Sequence, residues 1–282
     1  MSYKFETNAP TFEIIYEKEN TKWGYYPHTG ITPLAGICIM FKTLKNDMWL
    51  NLDYHAYDSP LAIDMSDFVD KDEIYEVMIY SPILSNLSKL QIEIPAGFTA
   101  SKTSWNSSRN IVVAGGSISY GLGCNTVNNM FSNILERNFN AEVKHITFNS
   151  TNYMEKINDY YKNNNPSVSD VIILELDNYS QKESMIEEQL PEVISILKNK
   201  CRYLIGWYAI PPKKAFKKII ANNIIKEDIY NKTLEVLDMS FIFDEDYMEM
   251  CDYNNWFIND AANIMIYNKL EECIRRLTKW NI

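Results

Sequence analysis

The fold is decided by the stretch Ile111-Val112-Val113-Ala114-Gly115-Gly116-Ser117-Ile118-Ser119-Tyr120-Gly121-Leu122-Gly123. A short unbroken apolar run, typical of a buried strand, leads directly into a turn that holds four of the nine glycines of the chain. Glycine permits tight or positive-φ backbone, so this concentration predicts a sharp strand-to-helix turn that carries Ser117.

Downstream of the turn, the apolar pattern alternates between strands and helices. The predicted buried strands are Val143–Phe148, Val171–Leu176, Tyr203–Tyr208 and Phe241–Phe243, and the predicted helices lie at Val127–Leu135, near 153–163, 182–199 and 213–237, and from about Asp260. This order predicts an α/β domain whose parallel sheet is covered on both faces. Ligands of such sheets bind at the carboxyl ends of the strands.

Upstream of the turn, the first hundred residues have the two-residue period of antiparallel sheet. Apolar side chains alternate with polar ones at Phe12–Tyr16, Met48–Tyr54 and Leu90–Ile94. The polar stretch Thr99–Ser108 has no period and marks a boundary. We therefore predict an all-β sandwich over residues 1–105 and the α/β domain over residues 106–282.

Composition excludes several classes of function. The formal net charge is −10 and no basic stripe is evident, which argues against a nucleic-acid partner. No apolar run approaches the roughly 18 residues of a membrane-spanning helix, and the amino terminus lacks the pattern of a signal peptide. Five cysteines without CxxC spacing fit reduced thiols, so we expect a cytoplasmic protein.

The turn itself matches none of the common glycine motifs. A phosphate loop requires a lysine after the glycines, and a dinucleotide fingerprint requires GxGxxG. The nucleophile elbow of α/β-hydrolases requires GxSxG, but residue 119 is serine. Ser117 remains, either as a nucleophile at the sheet edge or as a simple helix cap.

The block from Gly115 to Gly123 resembles the opening block, G-D-S-I-T-x-G-x-G, of the SGNH (GDSL-type) hydrolases. The resemblance implies a flavodoxin-like three-layer domain, and the preceding sandwich is similar to the jelly-roll domain of two-domain carbohydrate esterases. It also implies a serine acyl esterase or acyltransferase that acts on a small polar O-acylated, carbohydrate-like substrate without a cofactor or metal. The alternative is a catalytically inactive protein of this fold that binds a ligand or partner.

The resemblance assigns roles to individual residues. Ser117 would be the nucleophile, with its own N–H and the side chain of Asn178 holding the oxyanion. Asp260 and Asn263 stand where the family has D-x-x-H. The family's second block falls at Ile146–Asn152 and its third at Leu174–Asn178. The predicted substrate-binding residues lie in these three blocks and are Gly116, Thr147, Asn149 and Asp177.

Three departures weaken the expected chemistry, and the first is that the second block contains no glycine. Gly116 stands where the family has aspartate, and Asn263 stands where it has the catalytic histidine. An amide has no proton that titrates near neutrality, so Asn263 could only orient Ser117 by a hydrogen bond. Asp260 could instead be the N-cap of the last helix.

Other candidates are weaker. The histidines that could replace the missing base are His28, His55 and His145, and Cys124 is a second possible nucleophile. An acidic cluster, Asp244-Glu245-Asp246 with Asp252, could bind a hard cation but is more simply a solvated loop. Trp105 and Trp207 would either line a sugar-binding cleft or pack in the core.

Overall fold

The chain forms two compact units. The computed structural model describes residues 2–19, 36–52, 59–176, 183–209, 233–243 and 258–280, together with residues 217 and 231. One unit comprises Met1–Trp105 and Cys124–Asn129, and the other comprises Asn106–Gly123 and Met130–Ile282. The short segment Cys124–Asn129, which follows the glycine-rich turn, therefore packs with the first unit.

The first unit is a β-sandwich. Its strands are β1 (Ser2–Thr7), β2 (Thr11–Lys18), β3 (Cys38–Thr43), β4 (Leu50–Leu52), β5 (Leu61–Asp64), β6 (Tyr75–Tyr80), β7 (Leu87–Glu93) and β8 (Ala100–Lys102). They form two sheets, ordered β4-β3-β6-β1-β8 and β5-β2-β7, in which every described pairing is antiparallel. Phe5, Ile39 and Val77 of the first sheet share one apolar core with Phe12 and Ile14 of the second, so the two sheets pack face to face.

The two-residue period predicts this unit well. Phe12, Ile14 and Tyr16 are buried on β2, while Thr11 before them and Glu13 between them are exposed. The prediction for Met48–Tyr54 is only partly correct. Strand β4 covers Leu50–Leu52, Met48 is 65% exposed ahead of it, and Tyr54 lies outside the described residues.

The second unit is built on a parallel sheet. Its strands are β9 (Asn106–Gly115), β10 (Ala141–Thr147), β11 (Ser169–Glu175), β12 (Cys201–Tyr208) and β13 (Leu234–Asp238). Their order is β10-β9-β11-β12-β13, and each neighbouring pair is parallel. This is the flavodoxin-like order, in which the chain reverses direction across the sheet beside the first strand of the domain.

Helices cover both faces of this sheet. They are α1 (Ser117–Tyr120), α2 (Phe131–Phe139), α3 (Tyr153–Asn164), α4 (Glu183–Lys198) and α5 (Asp260–Thr278). Val171 and Ile173 point into a core with α2 and α5, whereas Ile172 and Leu174 point into a core with α3 and α4. The alternating burial explains why the strand reads as a continuous apolar run and confirms the predicted three-layer α/β domain. Within the described ranges, no helix combines the length and apolar character that a bilayer crossing demands.

Three elements differ from the sequence prediction. The helix predicted from Val127 begins only at Phe131, because Val127 lies in a separate 3₁₀ turn, Val127–Asn129, that packs with the first unit. The predicted strand Phe241–Phe243 belongs to a 3₁₀ turn, Ser240–Phe243. The fifth strand is instead β13, in a stretch predicted to be helical, and most of that predicted helix lies outside the described residues.

Replacing Val127 with alanine should destabilise the first unit by about 2 kcal/mol. Val127 is buried against Cys38, Met40, Met78 and Tyr80, and two buried methyl groups are worth roughly 0.8 kcal/mol each before any cavity cost is added. Hydrogen exchange of peptides along a urea titration should show β3 and β6 losing protection at lower urea, while α2 keeps its midpoint. Val168→Ala, at a 63% exposed position, is the control. A shift confined to α2 would mean that Val127 belongs energetically to that helix.

Candidate active site

Ser117 lies on the turn between β9 and α1, at the carboxyl edge of the parallel sheet. Strand β9 ends at Gly115, whose carbonyl accepts the N–H of Phe148 at 3.0 Å, and Ser117 is the first residue of α1. Thr147 is paired with Gly115 at the end of β10, so the first two blocks lie side by side. The structure thus places Gly116, Ser117 and Thr147 together at the edge where this fold binds ligands.

The glycines of the turn serve two different purposes. Gly121 and Gly123 have φ values of +97° and +95°, in the left-handed region where side chains are disfavoured. Gly121 ends α1, and its N–H and that of Leu122 bind the carbonyls of Ile118 and Ser117. Gly115 instead leaves room for a neighbouring side chain: a Cβ there would lie 2.7 Å from Cβ of Glu175.

The Ser117 hydroxyl is open to solvent and bonded to an amide. Ser117 is half-buried, and its Oγ donates to Oδ1 of Asn149 across 3.3 Å in a solvent-exposed hydrogen bond. This distance is long for an O–H donor. Among the described residues, the hydroxyl is therefore neither enclosed by aliphatic side chains nor held by a strong base. The prediction that Asn149 lines the site gains a specific contact, since its side chain orients the proton of Ser117.

The side chain of Glu175, which the sequence analysis did not single out, binds the turn through two main-chain N–H groups. Glu175 is fully buried at the end of β11, and its Oε2 accepts the N–H groups of Gly116 at 3.0 Å and Ser119 at 2.8 Å. The signal is present in the sequence, because a carboxylate inside the otherwise apolar run Val171–Leu176 requires a hydrogen-bonding partner.

Asn263 occupies a different place from the one predicted. Its side chain is buried; Oδ1 accepts the N–H of Phe131 at the start of α2, and Nδ2 donates to the carbonyl of Asn259. Among the hydrogen bonds of the described residues, the hydroxyl of Ser117 bonds to Asn149 and not to Asn263. The amide at the position of the family histidine thus joins the first turns of α2 and α5.

Asp260 is the first residue of α5 and not its N-cap. The cap is Asn259, whose Oδ1 accepts the N–H of Ala262 at 3.1 Å. The alternative interpretation of Asp260 as a cap is therefore wrong. Its alignment with the family aspartate stays a prediction.

Several predicted site residues lie outside the described residues. These are Asp177, Asn178, His28, His55 and the acidic cluster Asp244-Glu245-Asp246 with Asp252. In the part of the chain that the structure covers, no group of three His, Cys, Asp or Glu side chains could hold a metal ion. The oxyanion role of Asn178 stays a prediction.

The remaining candidates have ordinary structural settings. His145 is an exposed residue of β10, and Cys124 is buried in the segment that packs with the first unit. Trp207 is fully buried with its ring 5.7 Å from that of Phe131, so it packs in the core. Trp105 is half-buried beneath the ammonium group of Lys4, which lies 4.6 Å from the ring centre.

Tyr208, at the carboxyl end of β12, is not a general base. Burial raises its pKa to about 12, and the hydrogen bond and negative charge of Asp238 act in the same direction. The phenol therefore keeps its proton at neutral pH and can only donate or accept a hydrogen bond.

The described geometry supports nucleophilic attack without identifying a proton acceptor. The hydroxyl of Ser117 lies on the turn between β9 and α1, and the main-chain N–H of Ser117 lies at the beginning of α1. Neither the amide of Asn149 nor that of Asn263 accepts a proton near neutrality. The arrangement can therefore position and polarise an acyl group more readily than it can activate the attacking oxygen.

The fold matches solved structures over nearly the whole chain. No family model matches the sequence, and no curated protein matches it.

A protein of Bacteroides ovatus described as a GDSL-like lipase has a TM-score of 0.75 at 15% identity, over 100% of this chain and 85% of that one. The salicylyl-acyltransferase SsfX3 of a tetracycline biosynthetic pathway has a TM-score of 0.69 at 12% identity, over 99% of this chain and 84% of that one. A family two carbohydrate esterase of Clostridium thermocellum has a TM-score of 0.64 at 8% identity, over 99% of this chain and 93% of that one. At these identities the matches establish the fold and not the activity. The SGNH (GDSL-type) fold predicted from the glycine-rich block, with its amino-terminal β-sandwich, is therefore confirmed.

Proposed function

We propose that the chain is a serine acyl esterase or acyltransferase in which Ser117 forms the acyl-enzyme. The observation that carries the proposal is the hydroxyl of half-buried Ser117, whose bond to Asn149 is exposed to solvent, on the β9–α1 turn at the carboxyl edge of a parallel sheet.

The proposed chemistry begins with attack of Ser117 Oγ on an ester carbonyl. The carbonyl oxygen becomes an oxyanion, which the N–H of Ser117 would stabilise, with the side chain of Asn178 as the predicted second donor. The bond between the carbonyl carbon and the ester oxygen then breaks, the alcohol leaves with the proton that Oγ of Ser117 has given up, and the acyl group stays on Oγ. Water would release it as a carboxylic acid, and a hydroxyl or amine of an acceptor would take it by transfer.

No base among the described residues bonds to the hydroxyl of Ser117, and this sets the expected rate. General acid–base help is worth about 10²–10⁴-fold, so its loss leaves slow hydrolysis. Oxyanion stabilisation and binding alone can still provide roughly 10³–10⁴-fold over water. An acceptor that brings its own basic group would restore part of the loss, which favours acyl transfer over hydrolysis.

The proposed substrate is a small polar molecule that carries an O-acyl group. The resemblance to two-domain carbohydrate esterases supports a carbohydrate-like alcohol. Among the proteins of similar fold, one is a carbohydrate esterase and one is a salicylyl-acyltransferase. Both names describe the movement of an acyl group to or from oxygen or a related nucleophile, which fits an exposed serine.

A catalytically inactive binding protein is the second candidate. The observation that favours it is that Ser117 bonds to the amide of Asn149, which cannot accept its proton. On this alternative, the same sheet edge would hold an acylated ligand without cleaving it. Covalent labelling separates the two candidates, because a serine that attacks ester carbonyls, even slowly, also attacks a fluorophosphonate on prolonged exposure, whereas the serine of a pure binding protein stays unlabelled.

Ser117→Ala should abolish the protein-dependent hydrolysis of p-nitrophenyl acetate and the labelling by a fluorophosphonate. The substitution removes the only oxygen that the proposal uses as a nucleophile. Ser132→Ala is the matched control, because the Ser132 hydroxyl is buried in α2 with no hydrogen-bond partner among the described residues. The control should keep the wild-type rate.

Equal turnover by the wild type and Ser117→Ala would remove Ser117 from the chemistry. If a ligand then binds both proteins equally well and no labelling occurs, the binding alternative is correct.

Asn149→His should raise Ser117-dependent turnover at least tenfold above pH 7. The Nδ1 atom of histidine stands two bonds from Cβ, as the Oδ1 atom of asparagine does, so the imidazole would receive the proton that Asn149 Oδ1 now faces. Asn263→His is the contrasting variant. It should bring no gain, because Nδ1 there would accept the N–H of Phe131. It should also destabilise the fold by about 1–3 kcal/mol, because a larger ring must fit a buried site and the bond from the amide Nδ2 to the carbonyl of Asn259 is lost.

Initial rates as a function of pH and urea unfolding test both statements. A gain at position 263 together with none at position 149 would reverse the assignment of the two amides.

A further inference from the structure

The carboxylate of Glu175 holds the turn that carries Ser117. The residue is fully buried at the end of β11, and a single oxygen, Oε2, accepts two N–H groups, those of Gly116 at 3.0 Å and Ser119 at 2.8 Å. These two donors belong to residues on either side of the proposed nucleophile in the turn. The carboxylate therefore fixes the turn at two points rather than at one.

The same contacts leave the nucleophile's own donor available. Hydrogen bonding inside the turn begins with the N–H of Tyr120, which reaches the carbonyl of Gly116 at 2.9 Å, so the preceding N–H groups need other acceptors. Glu175 takes those of Gly116 and Ser119. Within the described part of the chain, the N–H of Ser117 has no acceptor. It is thus left free for the oxygen of an acyl group.

Glu175 is itself fixed by its surroundings. Its main-chain carbonyl accepts the hydroxyl of Tyr153 at 2.9 Å, and the next residue, Leu176, donates its N–H to the carbonyl of Trp207 at 2.8 Å. A rigid strand end therefore carries the carboxylate.

The absence of a side chain at Gly115 makes the contact possible. A Cβ at this position would lie 2.7 Å from Cβ of Glu175, 2.8 Å from its Oε2 and 2.6 Å from Oγ of Ser119. No real Cβ atom tolerates the first distance, because the atom it meets is not the end of a flexible side chain. Glu175 can therefore occupy its position only because residue 115 has no side chain.

We propose that Glu175 is the positioning residue of the site, fixing the turn so that Oγ and N–H of Ser117 reach one acyl group together. The inference rests on the proposed role of Ser117 and adds a requirement to it. Glu175 does not touch the reacting atoms. It acts through Gly116 and Ser119.

Glu175→Leu and Glu175→Gln separate the hydrogen bonds from the charge. Leucine removes both bonds, so kcat for p-nitrophenyl acetate should fall at least tenfold while KM stays within twofold. Glutamine keeps an oxygen that can accept both N–H groups, so its kcat should stay within about threefold of the wild type. Hydrogen exchange of the peptide that spans residues 115–120 should be at least fivefold faster in the leucine variant and unchanged in the glutamine variant. Glu142→Gln, at an exposed residue of β10, is the control.

A folded Glu175→Leu protein with wild-type kcat and wild-type exchange of the turn would overturn the proposal. If that variant does not fold, Gly115→Ala decides, because the added Cβ displaces Glu175 while leaving its carboxylate intact. It should lower kcat at least tenfold, and an unchanged kcat would refute the positioning role. Equal turnover by the wild type and Ser117→Ala would be a different result, since it removes the proposed function itself.

Discussion

One buried oxygen, Oε2 of Glu175, links the central strand of the parallel sheet to the turn that carries Ser117. A carboxylate without partners in a protein interior carries a large desolvation penalty, so the fold must supply donors to it. The N–H groups of Gly116 and Ser119 are those donors, and hydrogen bonds to a charged group are worth about 1.5–3 kcal/mol each. Any movement of the turn away from β11 would leave this buried oxygen without its two donors. The two hydrogen bonds to Glu175 therefore hold the turn in place, in addition to the helical bonds of α1, which spans only four residues.

The geometry of the sheet edge follows from this constraint. Gly115 and Thr147 are paired in register, as are Glu175 and Trp207, so these residues form a row across neighbouring strand ends. Only a residue without a side chain fits beside the carboxylate, which accounts for Gly115. The opening block of the SGNH hydrolases has an aspartate next to the serine, at the position of Gly116. In this chain the carboxyl group of Glu175 reaches the same turn from another strand, β11.

The sequence predicts the architecture better than it predicts the site. Continuous apolar runs identify β9 and β11 because both faces of each strand are buried, and that property is local. Val127 shows the limit of periodicity: it has the spacing of helix α2, yet it packs with Met40 and Met78 of the first unit. Spacing reports which residues are apolar and not which core they join. For the same reason the pattern around Glu175 predicts only a buried strand, since the partners of its carboxylate lie 56 and 59 positions away in the chain.

The two asparagines assigned to the proposed chemistry illustrate why motif position alone does not assign a role. Asn263 stands where the family has its base, but both ends of its amide are hydrogen-bonded elsewhere. Its Oδ1 accepts the N–H of Phe131, and its Nδ2 donates to the carbonyl of Asn259. An imidazole at that site would have to give up the hydrogen bond to the N–H of Phe131 before it could bind the hydroxyl of Ser117. Asn149 stands where no base is expected, yet its Oδ1 faces the hydroxyl directly. An amide oxygen that accepts this hydrogen bond leaves the proton on Ser117, so on the proposed function attack on an ester would need a proton acceptor other than Asn149. If the acyl acceptor supplied that group, the proposed function would favour transfer of the acyl group over hydrolysis, because the acceptor would take the proton that the amide of Asn149 does not accept.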